Sequence, residues 1–153
     1  MSVIEDMDAV FRFELVVPLD ALDGNQHVNN VAYVGWMQEA AIRHATATGC
    51  ARVTRELGAI WVVRTHRIEY FIPAFAAETL QIVTWVADLR KVRSLRRYQV
   101  IRSRDQALLA EGETDWVFVD ARTGKPRLIP EEVRKLFVIG EPGPNVARVE
   151  KAV

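Results

Sequence analysis

One segment constrains this chain more than any other. Val31 to Thr48 is alanine-rich, apolar on much of its circumference, and followed by Gly49, a residue suited to the position just past a helix end. Asn29 or Asn30 can cap its start by accepting a hydrogen bond from a free backbone N–H. Val31, Val34, Met37, Ala41 and Ala45 fall on one face of the predicted helix, and Tyr33, Trp36, Ala40 and Ala47 on another, which predicts burial on most sides. At 1.5 Å per residue the segment makes a rod of about 25 Å.

Almost everything else is patterned for strands. Val10 to Pro18 alternates Phe11, Phe13 and Leu15 with Arg12 and Glu14. Ala59–Ile72, Thr79–Leu89, Ser94–Arg102 and Leu108–Val119 follow, with turn signals at Arg104-Asp105 and from Asp120 to Pro126. Pro130 opens a short helix over EEVRKLF, and the tail after Gly140 is expected to be loose. Short connections between the later strands predict an antiparallel meander. One sheet against one long helix is an α+β arrangement.

At 153 residues, half of them hydrophobic, the chain is expected to be one domain. Lys plus Arg and Asp plus Glu number 20 each. That balance argues against a nucleic-acid or membrane-surface protein. With Cys50 as the one cysteine, no internal disulfide can form. The opening MSVIEDMDAV has neither a basic n-region nor a long apolar run, so no signal peptide is expected there, no stretch approaches a membrane span, and a cytoplasmic location is predicted.

The stretch LDGNQHVNNVAYVGWMQEAA, residues 22–41, resembles the signature of the hotdog-fold thioesterases, in two branches. Asp23, ten residues before Tyr33 and thirteen before Trp36, matches the 4-hydroxybenzoyl-CoA thioesterase pattern of a loop aspartate ahead of a Tyr-x-x-Trp helix. Asp23, Asn25 and His27, followed by Val28-Asn29-Asn30, match the Asp-x-Asn-x-His and Val-Asn-Asn of plant acyl-ACP thioesterases. IEYFIPA and TGKPRLIP extend the likeness over roughly residues 10 to 137. The plant enzymes carry a glutamate and a cysteine where this chain has Pro73-Ala74, and they hold two hotdog halves where this chain has one.

The resemblance implies a hotdog fold, an antiparallel sheet wrapped around one long central helix, assembled as a homodimer or a dimer of dimers. It implies hydrolysis of an acyl-CoA, or of an acyl-ACP, without cofactor or metal. Asp23 would be the nucleophile or the base for water, Asn25 and His27 would orient or shuttle protons, and the Asn30 backbone N–H would meet the oxyanion. Trp61 and Arg64 are the expected contribution of a partner strand. A hotdog dehydratase or hydratase, or a non-catalytic acyl-thioester-binding module, would suit the same fold.

Seven basic residues between Arg90 and Arg104, uninterrupted by an acid, offer a phosphate-binding patch in which Arg90, Lys91 and Arg93 are the candidates; the alternative is a solvated strand face. Glu39 stands in the apolar helix, where a carboxylate needs a partner. His44 is predicted on the helix surface and His66 on a strand surface. Cys50 has no histidine and aspartate spaced to activate it, and no metal-ligand spacing occurs.

Overall fold

The computed structural model describes residues 9–141. Strand β1 (Val10–Val16) leads through a turn of 3-10 helix at Leu19–Ala21 and a tight loop into α1 (Asn30–Thr48). After α1 come α2 (Cys50–Glu56), β2 (Ala59–Tyr70), β3 (Thr79–Leu89), β4 (Arg93–Arg102), β5 (Leu108–Asp120) and α3 (Glu131–Arg134). The tail beyond Glu141 lies outside the described residues.

All pairings are antiparallel, in one five-stranded sheet of order β1-β3-β4-β5-β2. The expected meander therefore holds for β3, β4 and β5 but not for β2. That strand pairs with β5, and residues 71–78 carry the chain across to β3 at the other side of the sheet. β2 is thus an edge strand of twelve residues, and Ile60, Val62, Val63 and Tyr70 stand exposed on it.

The core forms where α1 lies on the sheet. Tyr33, Met37, Ala40 and Ala41 pack against Leu80, Ile82, Tyr98, Val100, Leu109 and Ala110. The alanines and Gly112 let the two layers approach closely. A Cβ on Gly112 would stand 2.9 Å from Met37 Sδ and 3.0 Å from the Arg67 carbonyl oxygen. This is the helix-in-a-sheet architecture that the sequence implied.

Burial of α1 is narrower than predicted, because a single sheet can cover only one side of a helix. Val31 and Ile42 are exposed although both are apolar. His44, expected outside, is buried, because it follows Met37 by seven residues and so falls on the same stripe. Glu39, expected inside, is half-exposed and pairs with Arg43 one turn on at 2.7 Å. Gly49, at φ +87°, ends α1 and turns the chain into α2, a helix without a clear sequence signature; Thr48 Oγ1 accepts the Cys50 N–H at 3.3 Å at its start. Among the described residues no helix is long and apolar enough to cross a membrane.

Candidate active site

The loop ahead of α1 is held by its own backbone. Leu22 bridges Val28, the Asp23 N–H donates to the His27 carbonyl at 2.7 Å, and the Asn29 N–H donates to the Ala21 carbonyl at 2.7 Å. Gln26 takes a left-handed conformation, φ +65°, to close the turn. Asp23 Oδ1 accepts the N–H groups of Asn25 at 2.8 Å and of His27 at 3.2 Å. One carboxylate oxygen is thereby fixed on the loop in the manner of an Asx turn, and Asp23 as a residue is half-buried. The His27 ring sits edge-on against Phe75, 5.2 Å between centroids. Asn25 and His27 are otherwise open to solvent.

Asn29 caps α1, its side-chain oxygen accepting the Val31 N–H at 2.9 Å. The next donor, the N–H of Asn30, meets no acceptor among the described residues. Helix starts leave such groups unpaired, and the aligned peptide dipoles add partial positive charge there. Tyr70, at the end of β2, ties this helix start to the sheet by donating to the Asn30 carbonyl at 2.9 Å. Asp23, Asn25, His27 and Asn30 thus share one loop and one helix terminus: a carboxylate, two polar side chains and a free backbone donor.

The remaining candidates lie elsewhere. Trp61, near the start of β2, is half-buried against Phe118 and donates its Nε1–H to Thr54 at 3.2 Å. Arg64 stands exposed at the bulge between Val63 and Thr65, without a carboxylate partner among the described residues. Arg90 and Arg93 converge on the buried Asp115, and Arg90 also meets Asp88 at 3.2 Å. Lys91 is the member of that trio with no carboxylate among the described residues. His66 accepts or donates a 2.7 Å hydrogen bond with Thr114. The Cys50 thiol is buried and its pKa is pushed up by that burial, so it is held neutral.

Between the C-terminal half of α1, α2 and the start of β2 lies an apolar cavity of about 540 Å³, lined by Ile42, Ala45, Ile60, Trp61, Leu89 and Phe137, with Arg96 also in its wall. Asp23 does not line it. No single segment of the sequence marks the cavity. Its one legible sign was that Arg96 falls in phase with Ser94, Tyr98 and Val100 on the inward face of β4.

One antiparallel sheet folded on one long central helix is the hotdog architecture. The chain belongs to the thioesterase-like superfamily, whose family model matches residues 16–137. It is similar to the acyl-CoA thioester hydrolase YbgC of Escherichia coli O6:H1, 29% identical over 127 residues that span 81% of this chain and 92% of that one. Among solved structures it resembles YbaW, a probable thioesterase from Escherichia coli, with TM-score 0.77 at 21% identity over 82% of this chain and 95% of that one. An acyl-ACP thioesterase from Bacteroides thetaiotaomicron superposes with TM-score 0.81 at 21% identity, over 100% of this chain and 60% of that one.

Proposed function

We propose that this chain hydrolyses acyl-CoA thioesters, with Asp23 at the reacting carbonyl, in a site that a second copy of the chain completes. The observation that carries the reading is the Asp23 carboxylate, fixed by two backbone N–H groups just ahead of a helix whose first N–H, that of Asn30, is free. The reaction is acyl thioester hydrolysis. Asp23 either attacks the carbonyl carbon itself, giving an anhydride that water then opens, or removes a proton from the attacking water. The carbonyl oxygen takes up negative charge against the Asn30 N–H and the α1 dipole. The C–S bond breaks as the carbonyl re-forms, and the proton taken from water leaves with the thiol. Asn25 orients the water or the carbonyl, and His27 relays the proton.

Three features support a second copy. β2 offers an unpaired edge of twelve residues carrying exposed apolar side chains, which sheets seldom leave open to solvent. Tyr70 anchors the helix start at the end of β2, while Ile60 and Trp61 line the apolar cavity at its beginning. Antiparallel pairing of two β2 edges about a two-fold axis sets the end of one strand beside the beginning of the other. The Asp23 loop of each protomer then faces the cavity of its partner, with Trp61 and Arg64 between them. Of the candidate cations, Arg64 and Lys91 have no carboxylate partner among the described residues and are left to meet the phosphates of coenzyme A, since Asp115 neutralises Arg90 and Arg93. The same surface suits an acyl-ACP. A single buried cysteine suits the cytoplasm.

Thiol release from short, long and aromatic acyl-CoAs, measured on wild type beside Asp23→Ala, tests the reading. Turnover by wild type that drops at least about 100-fold in the variant, with an unchanged melting temperature, is expected. Equal turnover by the two proteins would remove Asp23 from the chemistry.

A further inference from the structure

Among the described residues Arg96 is a buried cation without a carboxylate partner. It is 5% exposed, and its Nη1 donates to His44 Nδ1 at 2.9 Å and to Thr84 Oγ1 at 3.0 Å. Both acceptors are neutral. Burial, with the neighbouring Arg96 charge second, pushes the His44 pKa down to about 3, so the ring carries no charge at neutral pH. Burial also lowers the pKa of Arg96, and the groups that oppose this are Tyr98 and Cys50, weak acids whose own pKa values burial raises. No carboxylate pairs with Arg96 among the described residues; its guanidinium meets His44, Thr84 and, 6.0 Å from the ring centroid, Phe137. Its neighbours on the strand and turn differ. Arg90 and Arg93 have Asp115, Arg97 has Glu113 and Glu141, and Arg102 has Glu78 and Asp105.

An ionised group out of water is costly unless an opposite charge and hydrogen bonds compensate it, and a guanidinium offers five donors matched in shape to a carboxylate. Here the compensation is incomplete from the protein's side, and the guanidinium lies in the wall of the 540 Å³ apolar cavity. That volume is within the range of small-molecule sites, where an apolar lining gives affinity and a few convergent polar groups give selectivity. An alkyl chain fits the lining, and a group that accepts hydrogen bonds and carries negative charge complements Arg96 best.

We propose that this cavity binds an apolar chain that ends in a carboxylate, with the Arg96 guanidinium as the counter-charge. The carboxylate has two sources: the far end of the acyl group of a dicarboxylic acyl thioester, or the free acid that hydrolysis releases. Delivery of the chain from the partner's Asp23 loop rests on the paired site proposed above, because within one chain His44 lies about 20 Å along α1 from Asn30. The binding claim stands without it.

The test compares octanoyl-CoA with suberoyl-CoA, and decanoyl-CoA with sebacoyl-CoA, each pair matched in length but differing at the far end. Wild type and Arg96→Met are assayed by thiol release, and binding of free octanoate and suberate is followed by calorimetry. Recognition of the acyl end predicts a kcat/KM at least tenfold higher for the ω-carboxylated substrate, a preference that Arg96→Met abolishes or reverses. Recognition of the released acid predicts no such preference, but inhibition of hydrolysis by octanoate that Arg96→Met relieves at least tenfold. A purely structural arginine predicts instead that the variant melts lower and loses both substrates of a pair equally. The wild-type comparison stands even where the variant does not fold. Should no acyl-CoA be hydrolysed, thioesterase activity fails while calorimetry still judges the cavity. Equal kinetics within each pair, with no Arg96-dependent binding of either free acid, overturns the proposal.

Discussion

Gly112→Ala tests the contact that sets the height of α1 above the sheet. Gly112 lies on β5 opposite Tyr98, and its missing side chain makes room for Met37. An added Cβ would stand 2.9 Å from Met37 Sδ, 3.1 Å from Met37 Cε and 3.0 Å from the Arg67 carbonyl oxygen. The methionine is flexible, but at 0% exposure it has nowhere free to go, and the Arg67 carbonyl belongs to the β2–β5 ladder. Overpacking a filled core costs about 1–3 kcal/mol. Replacing a strand glycine returns about 0.5–1 kcal/mol of backbone entropy. At the middle of both ranges the balance is a loss of about 1 kcal/mol, or about 2–4 °C in melting temperature for a domain of this size. Thermal unfolding followed by circular dichroism measures it. Leucine at position 37 ends short of the methionine Cε, so Met37→Leu should reduce the cost of Gly112→Ala by at least about 0.5 kcal/mol in a double-mutant cycle. A variant that melts at or above the wild-type temperature refutes the close-approach argument, and independence of the two substitutions refutes Met37 as the obstacle.

Two further outcomes follow from other parts of the fold. His44 has a folded-state pKa of about 3, below its ordinary 6.5, so between those values the unfolded chain binds the extra proton; stability is therefore lost as pH falls from about 6.5 toward 3, and His44→Gln should flatten that part of a melting-temperature profile relative to wild type. Val63→Lys places a charge in the middle of the exposed β2 edge, where a two-fold pairing would set it against its own copy. Sedimentation should show a shift toward monomer and thiol release should fall at least tenfold, whereas an active protein of unchanged size would remove β2 from the interface.

Much of this fold was legible in the sequence, because period-two and helical apolar patterns record which side of an element meets the core. The five strands and the long helix fall where those patterns put them, within a residue or two at their ends. What the patterns do not record is which strands are neighbours. β2 pairs with β5 although β3 follows it in sequence, since residues 71–78 are long enough to cross the sheet. The helix α2 was missed because its seven residues carry no repeated apolar stripe, and Gly49, read as an end, also serves as a hinge.

At the site the same limit has a different cause. The 23–30 loop is local, so its carboxylate, cap and free N–H are written in consecutive residues. Arg96 and His44 meet across 52 residues of chain, and each looked unremarkable in its own segment: one basic residue in a basic run, one histidine on a helix. Their phase was the sign. Arg96 alternates with Tyr98 and Val100, and His44 follows Met37 by seven residues, so strand and helix periods both pointed inward. A charged run suggests a solvated surface only when its members share an outward phase, and here one member does not. The charge balance of 20 against 20 conceals this, because the other arginines of the run find carboxylates while Arg96 finds none among the described residues. A neutral chain can therefore carry, at the wall of its own cavity, a cation with no carboxylate partner among the described residues.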